Sequence, residues 1–333
     1  MPFIKPSDSS SRPNLVGLDV VRVLAMSLVV LQHTMSLAGR DDLTSLAGLS
    51  IGQLGVAMFL IVSGFLSSDS RRTPTNWLAQ RLCRVYPAFW IAMIGSFCLA
   101  TLSGYKNASV AQIVSQMLGT GLWTHSGELV NSPTWFVSLI LACYIATFLS
   151  RLIKRPGLIA AISSLCLTFL VARDAAPWLM CHFLTYAVAS TIAAYALGSH
   201  RRVASLSIAG ALTILALLIQ PAFAYTAISL VVVELSLLCK ARSPIVKLAA
   251  EYSYDFYLVH GVALAGAMTV MKSSPVPAVM VALLSSAVAA VILNHLAAFI
   301  VRQFRPAEQS TDAKNFRTEA VKALPPIKAL PQM

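Results

Sequence analysis

The stretch Leu18–His33, LDVVRVLAMSLVVLQH, decides how the chain is read. It has the apolar content of a membrane-crossing helix, yet it holds Asp19, Arg22 and His33. Charges inside a span cost a few kcal/mol, so they face a protein interior or a water-filled path rather than lipid. At 100° per residue, the step from Arg22 to His33 returns to within about 20° of the same helix face and rises about 16 Å. Asp19 stands three residues before Arg22, within pairing reach. One polar stripe therefore runs along the helix, the layout of a pathway. The plainer reading has Arg22 snorkelling to the surface with Asp19 while His33 bonds a neighbouring helix.

The rest of the chain repeats the membrane signal. Of 333 residues, 57% are hydrophobic and 11% charged, with a mean hydropathy of +0.74. A soluble domain carries about twice that charged fraction. Nearly charge-free runs, each close to the ~20 residues that cross a bilayer, recur at 17–38, 51–68, 85–103, 134–150, 158–172, 178–198, 203–219, 222–239, 249–270 and 277–301. The short alternating segments of an outer-membrane barrel are not seen. The expected fold is an all-α, polytopic membrane protein of about ten helices, with nine or eleven as alternatives.

The net charge of +12 is a topology signal rather than a nucleic-acid footprint. With a cytoplasmic N-terminus, all but four of the 25 lysines and arginines (Arg40, Lys106, Arg173 and Lys272) fall on inside loops and helix ends. That is the positive-inside bias, and it places both termini in the cytoplasm. The six cysteines lie in the spans or at their inner edges with no CxxC pair, and read as small apolar fillers. Ser36–Gly39, SLAG, has the small residues of a signal-peptidase site, but Asp19 and Arg22 interrupt the preceding apolar run and argue against cleavage.

Residues 1–14 read as a loose leader, 15–303 as one membrane domain, and 304–333 as a charged tail with little capacity to form a core. The largest outside segment, 104–133, repeats Ile113, Met117, Leu118 and Leu122 at helical spacing. A short interfacial helix anchored by Trp123 is expected there.

Other polar groups sit where lipid is expected. RLCRVYP, Arg81–Pro87, sets Arg81 and Arg84 one helical turn apart on an inside loop, just after Arg71 and Arg72. Ordinary positive-inside charge explains them, and guanidinium forks also match the oxygens of a phosphorylated ligand. EYSYDFYLVH, Glu251–His260, puts Ser253, Tyr257 and His260 on one face. An interfacial tyrosine belt accounts for Tyr252 and Tyr254 but not for His260. His182, Glu234, Asn294 and His295 read as packing or helix-end groups, and no His, Cys or carboxylate set has metal-site spacing.

Taken together these pieces resemble the membrane acyltransferase-3 family, bacterial O-acetyltransferases of surface and secreted glycans. Arg22 and His33 reproduce its Arg-x10-His signature. GQLGVAMFLIVSGFL, Gly52–Leu66, resembles its second-span motif, RLCRVYP its Arg-x-x-Arg motif, SPTWFVSLILACY its Trp-centred span, and YSYDFYLVH its late Tyr-Leu-x-His motif. Two departures stand out. Trp135 is followed by Phe136, with Ile140 where many members carry Glu, and Leu60 replaces a Phe.

The resemblance implies transfer of an acyl group, usually acetyl, from cytoplasmic acyl-CoA to a sugar hydroxyl beyond the inner membrane. No permanent cofactor and no metal is implied; the partners are acyl-CoA, a glycan or lipid-linked sugar, and the bilayer. Arg81 and Arg84, helped by Arg71 or Arg72, would hold the CoA phosphates, with Ser63 lining the access path. Asp19, Tyr257, His260 and Trp135 would line the route along the Arg22 face. His33 would act as general base or, as an alternative, carry the acyl group, and Arg22 would orient the thioester or stabilise charge on its oxygen. Trp123, His125, Glu128, Asp41 and Asp42 are acceptor-binding candidates, and exposed loop polarity is the simpler account of each. Two rivals remain: a transporter or flippase of an amphiphilic glycan, whose mark would be inverted repeats, and a different membrane acyltransferase with a mid-membrane histidine.

Overall fold

The computed structural model describes residues 15–68, 72–103, 108–125, 128–155, 157–173, 177–196, 199–239, 243–271 and 275–303. The proposed leader, the tail and Arg71 lie outside the described residues. Within them the chain is almost entirely helical. The helices are α1 (Leu15–Leu37), α2 (Ile51–Phe65), α3 (Pro74–Ser103), α4 (Val110–Met117), α5 (Gly121–Thr124), α6 (Trp135–Leu152), α7 (Gly157–Ala172), α8 (Pro177–Tyr195), α9 (Ser199–Leu218), α10 (Phe223–Ser236), α11 (Pro244–Val270) and α12 (Pro275–Gln303). A two-stranded hairpin, β1 (Ser45–Leu46) and β2 (Leu49–Ser50), leads into α2.

Every apolar run picked out in the sequence is a helix here. Six of them, α1, α3, α6, α8, α9 and α12, are long and apolar enough to cross a membrane on their own. The apolar helices α2, α7 and α10 are shorter, and 15 residues of α2 rise only about 22 Å. Two helices start earlier than the hydropathy suggests. α3 begins at Pro74 and carries Arg81, Arg84 and Pro87 within it, so the arginine pair lies on a helix rather than in a loop. α11 begins at Pro244 and carries Lys247, Glu251 and Asp255 in its first turns. Mean hydropathy falls over these charged first turns, whereas the helix continues through them.

α2 is the centre of the bundle. It is apolar on all sides, the pattern of a fully buried helix, and packs against α1, α8 and α10. Met58 and Ile61 join a core shared with α1, α8, α9 and α10, while Val56 and Leu60 join a second core with α3, α6, α11 and α12. Close approach is bought with glycine. A Cβ at Gly55 would stand 2.5 Å from the Ala25 carbonyl oxygen, and one at Gly64 would stand 2.6 Å from the Tyr186 carbonyl oxygen. Both obstacles include backbone, so neither can swing aside. Gly64→Val is therefore expected to destabilise the protein by about 2 kcal/mol or more, read as a lowered midpoint of thermal unfolding in detergent. An unchanged midpoint would contradict this packing.

α1 and α2 run antiparallel, with Gly52 against Gln32 and Gly55 against Ala25 and Val29. α1 also packs on α11, which in turn packs on α12. The α11–α12 contact holds a partly buried polar bond, Asn294 Nδ2 donating to Asp255 Oδ2 at 2.8 Å. The segment between α3 and α6 folds back on the bundle as two short helices, α4 and α5, rather than one. Gly119 (φ 73°) turns the chain between them. α4 starts with a capping box of Ser109 and Gln112. Its far end is held to α3 by Trp90 Nε1, donating to the Met117 carbonyl at 2.9 Å, and by the Tyr86 hydroxyl, donating to the Leu118 carbonyl at 2.8 Å.

Candidate functional site

Arg22 of α1, Ser63 of α2, Arg81 and Arg84 of α3, Tyr144 of α6 and Tyr254 of α11 line one cavity of about 110 Å³. Glu251 and Arg84 are exposed at one end of it, and Phe59, Phe136, Ile140 and Tyr257 supply apolar wall. Asp19 holds Arg22 by an ion pair of 2.9 Å, with both side chains about one-fifth exposed. Ser63 Oγ and the Tyr144 hydroxyl lie 3.1 Å apart. The Tyr254 hydroxyl donates to the Val85 carbonyl at 3.1 Å. Three guanidinium groups thus meet two carboxylates, Asp19 and Glu251, at this rim, and the one positive charge in excess suits an anion.

The two arginines of α3 are not equivalent. Arg81 donates to the Leu66 carbonyl at the end of α2, and its guanidinium lies 5.6 Å from the Trp77 ring centroid and 5.8 Å from that of Tyr144. Arg151 does the same from α6, donating to the Ser67 carbonyl and lying 4.7 Å from the Trp77 ring. These bonds satisfy carbonyls that a helix end leaves without intrahelical partners. Arg81 therefore serves the fold as well as the cavity, whereas Arg84 is exposed.

His33 lies one aromatic layer farther along α1. It does not line the cavity, which stops at Phe59, Phe136 and Tyr257. These three rings pack against one another with centroids 5.4 to 6.1 Å apart. Beyond them His260, fully buried, stands with its ring centroid 5.5 Å from that of Tyr257. His260 Nε2 and His33 Nδ1 are 2.9 Å apart, and the two rings stack at 5.0 Å. Arg22 and His33 therefore both turn from α1 toward α11, as helical arithmetic expects, but the cavity that Arg22 lines does not include His33 among its lining residues. α11 climbs in step with α1, passing Glu251, Tyr254 and Tyr257 before reaching His260 opposite His33. The layer is fixed from the far side as well: the Tyr257 hydroxyl donates to the Pro133 carbonyl, and Asn131 Nδ2 donates to the Leu258 carbonyl at 2.8 Å.

The remaining sequence candidates separate by place. Arg72 is exposed and does not line the cavity. Trp135 does not line it either. It packs edge-on to Trp178 at 5.7 Å and face-on to His182 at 6.0 Å, because α6 turns this residue toward α8. Asp41 is brought to the His33 end of α1, where its carboxylate accepts from Ser36 and, at 3.4 Å, from Gln32. Asp42 pairs with Arg40 at 3.2 Å. Trp123 stacks on Phe183 at 6.2 Å. His125 Nδ1 lies 3.0 Å from Ser115 Oγ, and Glu128 accepts from Gln112. Among the described contacts, none ties these last three to His33.

Sequence reasoning missed Arg151, Trp77 and Tyr144, and it gave Tyr254 to an interfacial belt although that side chain lines the cavity. It also missed the pairing of the buried His182, through Nε2, with Gln53 Oε1, 2.6 Å apart. Glu234 is a packing group as read, accepting from Ser205 at 2.9 Å and facing Arg201 at 3.4 Å. Among the described residues, no three His, Cys, Asp or Glu side chains cluster as metal ligands.

Over residues 15–295 the chain matches a protein-family model described as an acyltransferase domain. No curated protein and no solved structure matches the chain.

Proposed function

The chain belongs to the membrane acyltransferase-3 family, and from that premise we propose that it moves an acyl group, acetyl in the first instance, from cytoplasmic acyl-CoA to a hydroxyl of an exported or surface glycan. It is a multi-pass membrane acyltransferase. The proposed topology has ten crossings in the bacterial inner membrane with both termini cytoplasmic, so that the arginine rim faces acyl-CoA and the histidine pair faces the acceptor. The antiparallel α1–α2 pair and the parallel climb of α1 and α11 agree with alternating crossings.

The observation that carries this reading is the placement of Arg22 and His33. One helix presents an arginine to an anion-suited cavity and, about 16 Å higher, a histidine to a second histidine. In the proposed reaction Arg84, with Arg81, holds the CoA phosphates. The pantetheine arm extends past Ser63 and Tyr254, Arg22 steadies it partway along the cavity, and the thioester reaches His33. His33 takes the proton of the acceptor hydroxyl as that oxygen attacks the thioester carbonyl. The C–S bond breaks and the CoA thiolate leaves, recovering the proton. The layer of Phe59, Phe136 and Tyr257 bars this route as it stands, so turnover requires those rings to part. Asp41 is the acceptor-side carboxylate best placed to hold a sugar near His33, while Asp42, Trp123, His125 and Glu128 belong to the loops around that end.

Arg84→Ala is expected to raise KM for acyl-CoA about tenfold, the loss of a charge-assisted phosphate contact, with little change in thermal stability. Arg81→Ala should raise KM and also lower the unfolding midpoint, because the Leu66 carbonyl loses its donor. Equal acyl-CoA affinity in both variants and the unmodified protein, measured by titration in detergent, would reject the rim as the donor site. Mass analysis of surface glycans from cells with and without the protein identifies the acceptor and the acyl group together.

A further inference from the structure

The hydrogen bonds around His260 fix more than its own position. Its Nδ1 lies 2.7 Å from the Tyr257 carbonyl oxygen. A carbonyl only accepts, so His260 Nδ1 carries a proton. In an uncharged imidazole the other nitrogen is then a lone pair, which leaves His260 Nε2 an acceptor. His33 Nδ1, 2.9 Å away, must be the donor, and His33 Nε2 keeps the free lone pair. We infer that His260 is a positioning residue that sets the tautomer of His33, locking Nε2 as the basic nitrogen.

This inference rests on the reading of His33 as the general base and gives that reading an atom. During transfer His33 Nε2 takes the hydroxyl proton and the ring becomes an imidazolium. Its Nδ1–H is already aimed at His260 Nε2, so the bond that selected the tautomer becomes charge-assisted as the charge appears. The arrangement has the logic of a catalytic triad with a neutral imidazole as its third member. That third member is in turn fixed by the Tyr257 carbonyl, and the Tyr257 hydroxyl is tied to Pro133. His260 is fully buried and stacks against Phe256 at 6.3 Å, so its ring has no room to turn over freely.

The test compares His260→Gln, which places an amide oxygen near the position of Nε2, with His260→Leu, which has no acceptor. Purified proteins in detergent are assayed for CoA release from acetyl-CoA with a glycan extract as acceptor. His260→Leu is expected to lose about 10²–10⁴-fold in kcat, as for a histidine left in the wrong tautomer, with KM for acetyl-CoA unchanged. His260→Gln should recover at least tenfold of that loss. If His260→Leu keeps kcat within about threefold while His33→Ala is inactive, the positioning role is wrong and the proposed function stands. If His33→Ala is active, the proposed function itself fails. Should both His260 variants be inactive, nitrogen-15 NMR of histidine-labelled unmodified protein decides. A His33 protonated at Nδ1 supports the inference, and one protonated at Nε2 overturns it.

Discussion

Replacing His33 with alanine is expected to reduce acyl transfer by about 10³-fold or more, within the upper range for removal of a general base, while the protein remains folded in the membrane. The size of the effect follows from the absence of a substitute. The substitution frees the lone pair of His260, the imidazole beside it, but that ring is fully buried and stays fixed by the Tyr257 carbonyl, so it does not come forward to replace the lost side chain. The fold should tolerate the change. His33 is only half-buried and lies toward one end of α1, and the loss of one hydrogen bond costs about 1 kcal/mol. The assay is CoA release from acetyl-CoA by the purified variant, with acyl-CoA binding measured alongside. Binding should persist. Transfer at the rate of the unmodified protein would remove His33 from the chemistry.

Arg22→Gln should have the next largest effect, a loss of about 10²–10³-fold in kcat/KM for acyl-CoA. Arg22 is the one cavity arginine carried by the same helix as His33, and Asp19 holds its guanidinium in place. Removing the charge leaves nothing on α1 to meet an anionic part of the donor in the cavity. Arg22→Lys should recover part of the activity, since an ammonium supplies the charge without the planar fork. Asp19→Asn should cost far less, because a partly exposed pair contributes little and the asparagine side-chain oxygen can still accept from Arg22. The ordering Gln worst, Lys intermediate and Asn at Asp19 mildest is the checkable outcome in steady-state kinetics. Equal activity in all three would show that Arg22 is a snorkelling residue with no part in donor handling.

Much of this organisation is legible in the residues before any coordinates. Hydropathy alone marks the helices, because lipid demands long apolar runs with internally satisfied backbones. The shared face of Arg22 and His33 follows from helical geometry, and both do turn toward α11. What the pattern does not carry is partnership. His33 and His260 are far apart in sequence, and a periodicity that names a face cannot name what that face meets. The Tyr-Leu-x-His resemblance flagged His260 without indicating that its ring would bond His33.

The misreadings have the same root. Arg81 and Arg84 looked like loop charge because hydropathy stops at the first guanidinium, yet both lie on α3, and Arg81 bonds the end of α2. Trp135 looked like a route-lining ring, but its rotation on α6 gives it to Trp178 and His182 instead. The phenylalanine after it, noted only as a departure from the commoner family pattern, lines the cavity together with Ile140. Where many relatives are expected to carry a glutamate, this chain presents an apolar wall. Beyond that wall stand the two histidines, His33 and His260.

The central claim is vectorial: donor on the arginine side, acceptor on the histidine side. Inverted inner-membrane vesicles expose the cytoplasmic face to the medium and enclose the opposite one. Membrane-impermeant, acyl-labelled acetyl-CoA is added outside, and the glycan inside is analysed after external esterases have removed accessible label. The account predicts protected label in the lumenal glycan, present with the unmodified protein and absent with His33→Ala. Label that appears only when acetyl-CoA is loaded inside the vesicles would contradict it.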